Sequence, residues 1–169
     1  MSDLLTHVLA AYVLATVASW RFSAIAARHV PLAMVGAVVP DAAKAYMLTG
    51  DPRFAVAGVE LSWYALQTVG AAACFVLAGS LLFPREDRRV VLGVLSGAVG
   101  LHVCLDYLVI RAGGLAPPYL YPLTWVQLPS ADVYLSSSLW PSLVAVPLAC
   151  VVWLLDRRRS GDVDSQRQG

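Results

Sequence analysis

Charge is scarce in this chain: 14% of its 169 residues are Asp, Glu, Lys or Arg, against about a quarter in an ordinary soluble domain. With 59% hydrophobic residues and a mean hydropathy of +0.68, that shortage excludes a water-soluble globule and implies an integral membrane protein. There is no basic stripe and no interleaving of basic with aromatic residues, so the expected partner is the lipid bilayer and not nucleic acid. Cysteine is sparse too. Cys74, Cys104 and Cys150 fall singly in three different apolar runs without Cys-x-x-Cys spacing, which excludes a zinc knuckle or a disulfide framework and leaves them as small packing residues. No basic residue stands in Met1-Ser2-Asp3 ahead of the first apolar run. That run is therefore expected to remain a helix, not a cleaved signal, although Ala24-Ile25-Ala26 mimics a cleavage site.

What the chain does contain is long apolar runs. Five of them, near 4–20, 30–48, 62–83, 90–110 and 139–155, read as the transmembrane helices of an all-α, polytopic membrane protein. Pro31 suits the first turn of the second run, whereas Pro40 interrupts it and frees backbone groups that need other partners. Ser62, Trp63 and Tyr64 open the third run as an interfacial belt, with Gln67 and Thr68 deeper. Residues 1–156 are expected to form a single helical membrane domain. Within it, 111–138 carries Gly113-Gly114, Pro117-Pro118, Tyr119, Tyr121-Pro122, Trp125 and Pro129, too apolar and aromatic for disorder, and reads as an ordered extracytoplasmic cover. Residues 157–169 are expected as a disordered cytoplasmic tail, and His29, beside Arg28, as a solvated loop residue.

Orientation follows from the basic residues, because short cytoplasmic loops retain the excess of Lys and Arg. With the N-terminus outside and the C-terminus inside, Arg21, Arg28, Arg85, Arg88, Arg89, Arg157, Arg158, Arg159 and Arg167 face the cytoplasm, nine of the twelve basic residues. Lys44, Arg53 and Arg111 remain on the other side. The cell (inner, cytoplasmic) membrane is the expected location, crossed several times.

The sparse polar groups inside the helices fall on one side of this frame. His102 and Asp106, four residues apart, share a helix face; Asp41 adjoins the proline break; His7 lies near the start of the first helix and Gln67 near the start of the third. All five are placed in the extracytoplasmic half. Titrating groups within hydrocarbon cost a few kcal/mol each, about 2.5–3.5 for a charged side chain at a helix centre, so their collection at one depth marks a polar site. Two histidines with two aspartates, His7, Asp41, His102 and Asp106, make a ligand set for Zn²⁺ or another first-row divalent ion.

Three short motifs carry a family resemblance: Thr6-His7, the Gly-x-x-x-Pro-Asp element from Gly36 to Asp41, and His102-x-x-x-Asp106 followed by Tyr121-Pro122. With them the chain resembles the membrane-bound, metal-dependent hydrolases described as LexA-binding and inner-membrane-associated, over roughly residues 1–140. The resemblance implies a hydrolase with His7, Asp41, His102 and Asp106 as metal ligands. Two positions depart from the family pattern. Another acid usually stands two residues after the Pro-Asp, where this chain has Ala43, and a His-Ser or His-Thr pair in the third segment, where it has Gln67-Thr68.

The expected activity is metal-dependent hydrolysis at the outer leaflet, of a lipid or a phosphoester. Metal held by His7, Asp41 and His102 acidifies water, with His102 and Asp106 as the catalytic pair and Asp106 as fourth ligand, orienting partner or general base. Gln67 is expected to face the cluster and hydrogen-bond Asp41 or Asp106, since its amide suits that better than coordination. The alternatives are a non-catalytic membrane scaffold with a degenerate metal site, which Ala43 and Gln67 favour, and a small transporter, against which the lack of an inverted repeat speaks. The division of basic residues makes a direct prediction. A reporter active only outside the cytoplasm will be silent when fused after Arg159, and strong activity there would reverse the orientation.

Overall fold

The computed structural model describes residues 3–45, 50, 54–56, 59–61, 67–111, 113–121, 123–124 and 126–167. Ser62, Trp63 and Tyr64 of the expected interfacial belt lie outside the described residues, as do Pro122 and Trp125 of the long loop. Among the described residues there are five α-helices: α1 (Asp3–Arg21), α2 (Val30–Val38), α3 (Val69–Leu81), α4 (Arg88–Tyr107) and α5 (Trp140–Arg167). A 3-10 turn, Ala27–His29, leads into α2, and a second 3-10 segment, Val39–Ala45, follows it.

Three of the five helices are long and apolar enough to cross a membrane, over Leu4–Arg21, Arg88–Tyr107 and Trp140–Gly161. The other two are shorter than the sequence suggests. Pro40 cannot continue an α-helix, so α2 ends at Val38 and the chain advances as a 3-10 segment. At about 1.5 and 2.0 Å rise per residue the two pieces together cover roughly 28 Å, nearly the thickness of a bilayer core. The third helix starts only at Val69, after Thr68 takes the N-cap position and its hydroxyl accepts from the Ala71 amide at 3.4 Å. Its thirteen residues cover about 20 Å. Strands β1 (Phe54–Val56) and β2 (Val59–Leu61) pair antiparallel with Phe54 opposite Leu61, a short hairpin beside the helices that make up the fold. Phe and Val, which favour a pleated surface over a helix, supply that hairpin.

At the C-terminal end the helix continues past the last apolar run. Residues expected as a disordered tail from 157 continue α5 as helix to Arg167. Indole rings hold its basic residues in place. The Arg157 guanidinium lies 4.3 Å over the Trp153 ring and that of Arg159 4.6 Å over Trp20, while Ser160 Oγ donates to the Asp156 carbonyl at 3.1 Å. His29, expected in solvent, is buried, and its Nδ1 accepts from the Ala26 amide at 3.0 Å.

The helices pack in a fixed order: α1 on α2 and α5, α2 on α4, and α3 on α4. Thr6 Oγ1 and Ser142 Oγ share a hydrogen bond at 3.0 Å, and fourteen residues further along each helix Trp20 Nε1 donates to Asp156 Oδ1 at 2.7 Å. Helices α1 and α5 therefore run parallel and in register. The turn before α2 meets the turn between α3 and α4 through the Arg28–Asp87 ion pair at 3.0 Å. Arg88 closes the C-terminus of α3, donating through Nε to Phe83 O at 3.0 Å and through Nη2 to Leu81 O at 3.4 Å. Basic side chains thus gather at one end of the bundle.

Apolar side chains face both ways. Val76, Val91, Leu95 and Val99 fill the α3–α4 contact, and Val13, Ala149 and Val152 the α1–α5 contact. Leu14, Val17, Leu77, Leu92, Leu143, Val144 and Val151 instead point outward, where lipid is the solvent that suits them. Where α1, α2 and α4 meet, the core is made of Ala11, Ala33, Ala37 and Ala98. Gly36 sets the α2–α4 approach: a Cβ there would lie 3.0 Å from Ala98 Cβ and 3.2 Å from Leu95 Cδ2, whereas one at Gly97 meets nothing within 4 Å. Close backbone approach at small residues is how helices associate without a hydrophobic drive between them.

The two glycines should respond oppositely to alanine. Gly97→Ala gains helix propensity at no steric cost and should stabilise slightly, whereas Gly36→Ala should destabilise by about 1–3 kcal/mol through overpacking. Thermal unfolding of the two variants in the same detergent checks this; equal melting temperatures would contradict the packing.

Candidate metal centre

At the end of the bundle away from Arg28, Arg88, Arg157 and Arg159, four side chains from three segments converge. His7 comes from the second turn of α1, Asp41 from the 3-10 segment after α2, and His102 and Asp106 from consecutive turns of α4. All four are buried, His7 completely. They bring two imidazoles and two carboxylates into an apolar interior, and such groups persist there only when paired or coordinating a cation.

Local sequence explains each placement. Pro40 has no N–H to offer the carbonyls of Gly36 and Ala37, which lie four and three residues before it, where helical donors would be. His102 Nδ1 takes up the Ala37 oxygen at 2.7 Å. A carbonyl only accepts, so Nδ1 carries hydrogen and the Nε2 edge is turned into the cluster. The same proline break turns Asp41 inward. The His7 ring lies beside that of His102, with centroids 4.2 Å apart and planes inclined at 34°.

The distances match coordination better than hydrogen bonding. His102 Nε2 lies 3.7 Å from Asp41 Oδ1 and 3.6 Å from Asp106 Oδ2, and His7 Nε2 lies 3.5 Å from Asp106 Oδ1. Good N–H···O bonds are about 2.7–3.2 Å. Ligand atoms around a tetrahedral ion with bonds of about 2.0–2.2 Å stand roughly 3.3–3.6 Å apart. One ligand atom each from His7, Asp41 and His102 all lie within 4.8 Å of one another, and this buried group can hold a metal ion. His102 Nε2, buried, has no hydrogen-bond partner among the described residues, which a cation would supply. Carbonyl-anchored imidazole is also the usual support of a metal-ligating histidine.

Gln67 is buried at the start of α3, but no hydrogen bond links it to Asp41 or Asp106 among the described residues, and its Oε1 has no partner there. The early N-cap at Thr68 explains this: Gln67 sits before the helix instead of on its face. Sequence reasoning also passed over Arg111. Its Nη2 lies 3.7 Å from Asp106 Oδ2 and 3.4 Å from the Tyr119 hydroxyl. The available signal was its membership of the basic minority, five residues beyond Asp106.

The described residues between Arg111 and Ser138 are irregular and pinned to the helices. Ile110 N donates to Tyr134 O at 2.7 Å, Val133 N to Leu108 O at 2.9 Å, and the Tyr134 hydroxyl to Leu105 O at 3.1 Å. Val69 N and Gly70 N, at the start of α3, donate to Tyr119 O at 2.8 Å and Tyr121 O at 2.9 Å. Within it Tyr119 and Tyr134 are buried.

No protein-family model, no curated protein and no solved structure matches the chain. Its chemistry therefore rests on the site itself. Purified in detergent, the protein should carry close to one divalent ion per chain, lost in His102→Ala. X-ray absorption should show nitrogen and oxygen neighbours at about 2.0–2.2 Å and no sulfur near 2.3 Å. Metal-free wild-type protein after loading would refute the centre.

Proposed function

We propose that this protein is a membrane-embedded, metal-dependent hydrolase whose ion is held by His7, Asp41 and His102. The observation that carries the reading is the composition of the buried group. Three protein donors, with a further carboxylate close by, is the pattern of a catalytic metal site, which keeps one position open, more than of a closed structural one. Imidazole and carboxylate without thiolate suit Zn²⁺ or a neighbouring first-row ion. The motif resemblance to inner-membrane-associated hydrolases agrees with it.

When bound, the ion supplies Lewis acidity and makes water a nucleophile near neutral pH. The chain's own residues do the rest. The Ala37 carbonyl holds His102 in one orientation, and His7 is fixed against it by ring contact. Asp106, between the two imidazoles, accepts the proton of the attacking water and returns it to the leaving oxygen as the ester bond breaks.

The site faces away from the cytoplasm in this reading, and the chain crosses the inner membrane five times. Nine of twelve basic residues fall on the other side, and Arg28, Arg88, Arg157 and Arg159 stand at the bundle end opposite His7 and His102. The parallel pairing of α1 with α5 supports an odd number of passes, with α2 and its 3-10 extension as the second and the short α3 as the third.

One observation favours a second reading. All four polar residues are almost completely buried, which also suits a metal that only ties helices together in a non-catalytic scaffold. Asp106→Asn separates the two. Metal-loaded protein should hydrolyse at least one of p-nitrophenyl butyrate, p-nitrophenyl phosphate and bis-p-nitrophenyl phosphate, and the variant should retain metal with kcat reduced about 10²–10⁴-fold. Hydrolysis of none of them by metal-loaded wild type would leave the scaffold.

A further inference from the structure

Arg111 stands in an unusual place for a membrane-surface arginine. Its backbone is fixed on both sides, by the Val109–Tyr134 bridge with the bond from Ile110 N to Tyr134 O before it, and by the bond from Gly114 N to its own carbonyl after it. Its side chain turns back to the metal cluster and is only about a quarter exposed. An arginine recruited merely to neutralise Asp106 would form a paired, bidentate contact at about 2.7–2.9 Å. Here Nη2 lies 3.7 Å from Asp106 Oδ2, and the hydrogen bond to Tyr119 Oη is long at 3.4 Å. Nε is buried and has no partner among the described residues. A guanidinium has five N–H donors in a planar fork, and this one has most of its capacity in hand.

Charge points the same way. Two carboxylates, one guanidinium, two neutral imidazoles and a divalent ion sum to one positive charge, in surroundings too apolar to screen it. An uncharged carboxylic ester would leave that charge and those donors unmatched. An anionic ester would match both, and the fork spacing of arginine fits two oxygens of one phosphate.

We propose that Arg111 is the anion-binding residue of this site and that the substrate is a phosphoester, its phosphate oxygens received by the Arg111 fork beside the metal group. The inference rests on the metal-site reading and adds the substrate class to it. Tyr119 is a positioning residue: its buried hydroxyl accepts from Nη2 and holds the guanidinium toward Asp106. The chemistry is shared by a lipid phosphate headgroup and a soluble phosphoester.

The test is titration of inorganic phosphate into full-length, zinc-loaded protein in neutral detergent, followed by calorimetry, with metal content and melting temperature taken on the same samples. Arg111→Gln should bind phosphate at least about tenfold more weakly than wild type, with zinc content unchanged. Arg111→Lys, which keeps the charge but not the fork, should fall between, and it decides by the same comparison if the glutamine variant does not fold. Wild type that holds zinc but binds no phosphate, or variants that bind it as wild type does, would overturn the proposal while leaving the metal site intact. Zinc-free wild type would remove both. Mixed micelles containing phosphatidic acid or diacylglycerol locate the source. Phosphatidic acid bound more tightly than inorganic phosphate, with diacylglycerol inert and the gain lost in Arg111→Gln, identifies a lipid headgroup; equal binding identifies a soluble ester.

Discussion

The site depends on one hydrogen bond, from His102 Nδ1 to the carbonyl of Ala37. It joins a side chain of α4 to the backbone of α2, and it is possible only because both partners are made available. Pro40 leaves the end of α2 short of donors, and Gly36 lets the two helices come close enough for the imidazole to reach. The same proline ends α2 and starts the 3-10 segment that carries Asp41. A single residue without an N–H therefore orients one imidazole and places one carboxylate.

Much of this was legible in the sequence because hydrocarbon tolerates so few polar groups. His7, Asp41, His102 and Asp106 stood out against apolar neighbours, and the structure brings all four together. The spacing of His102 and Asp106 fixes their common face, whatever else packs around it. Membrane character was equally open to reading, since three helices are long and apolar enough to cross.

Other features depend on contacts that periodicity does not encode. Apolar residues continue past the C-terminal end of α3 as Leu82 and Phe83, and what bounds the helix is a hydroxyl cap at Thr68 and carbonyls closed by Arg88. Helix content beyond Asp156 rests on indole faces supplied by α1 and by α5 itself. Arg111 was counted for its charge alone, because only the strand-like bridge to Tyr134 reveals which way its side chain is sent. Gln67 failed for the converse reason: depth along the chain was right, but the helix that would have aimed it had not yet begun.

The parallel, in-register pairing of α1 with α5 has a consequence for biosynthesis. Parallel neighbours cannot be joined by a tight turn, and here the partners Thr6 and Ser142, like Trp20 and Asp156, stand 136 residues apart. Helix α1 is made well before α5 and must wait for it before the Thr6–Ser142 and Trp20–Asp156 contacts can form. Until then the face that presents Val13 has only lipid against it, and with it the helix that carries His7 is held from one side alone. Arrival of α5, not insertion of α1, is what sets the geometry of the candidate metal centre.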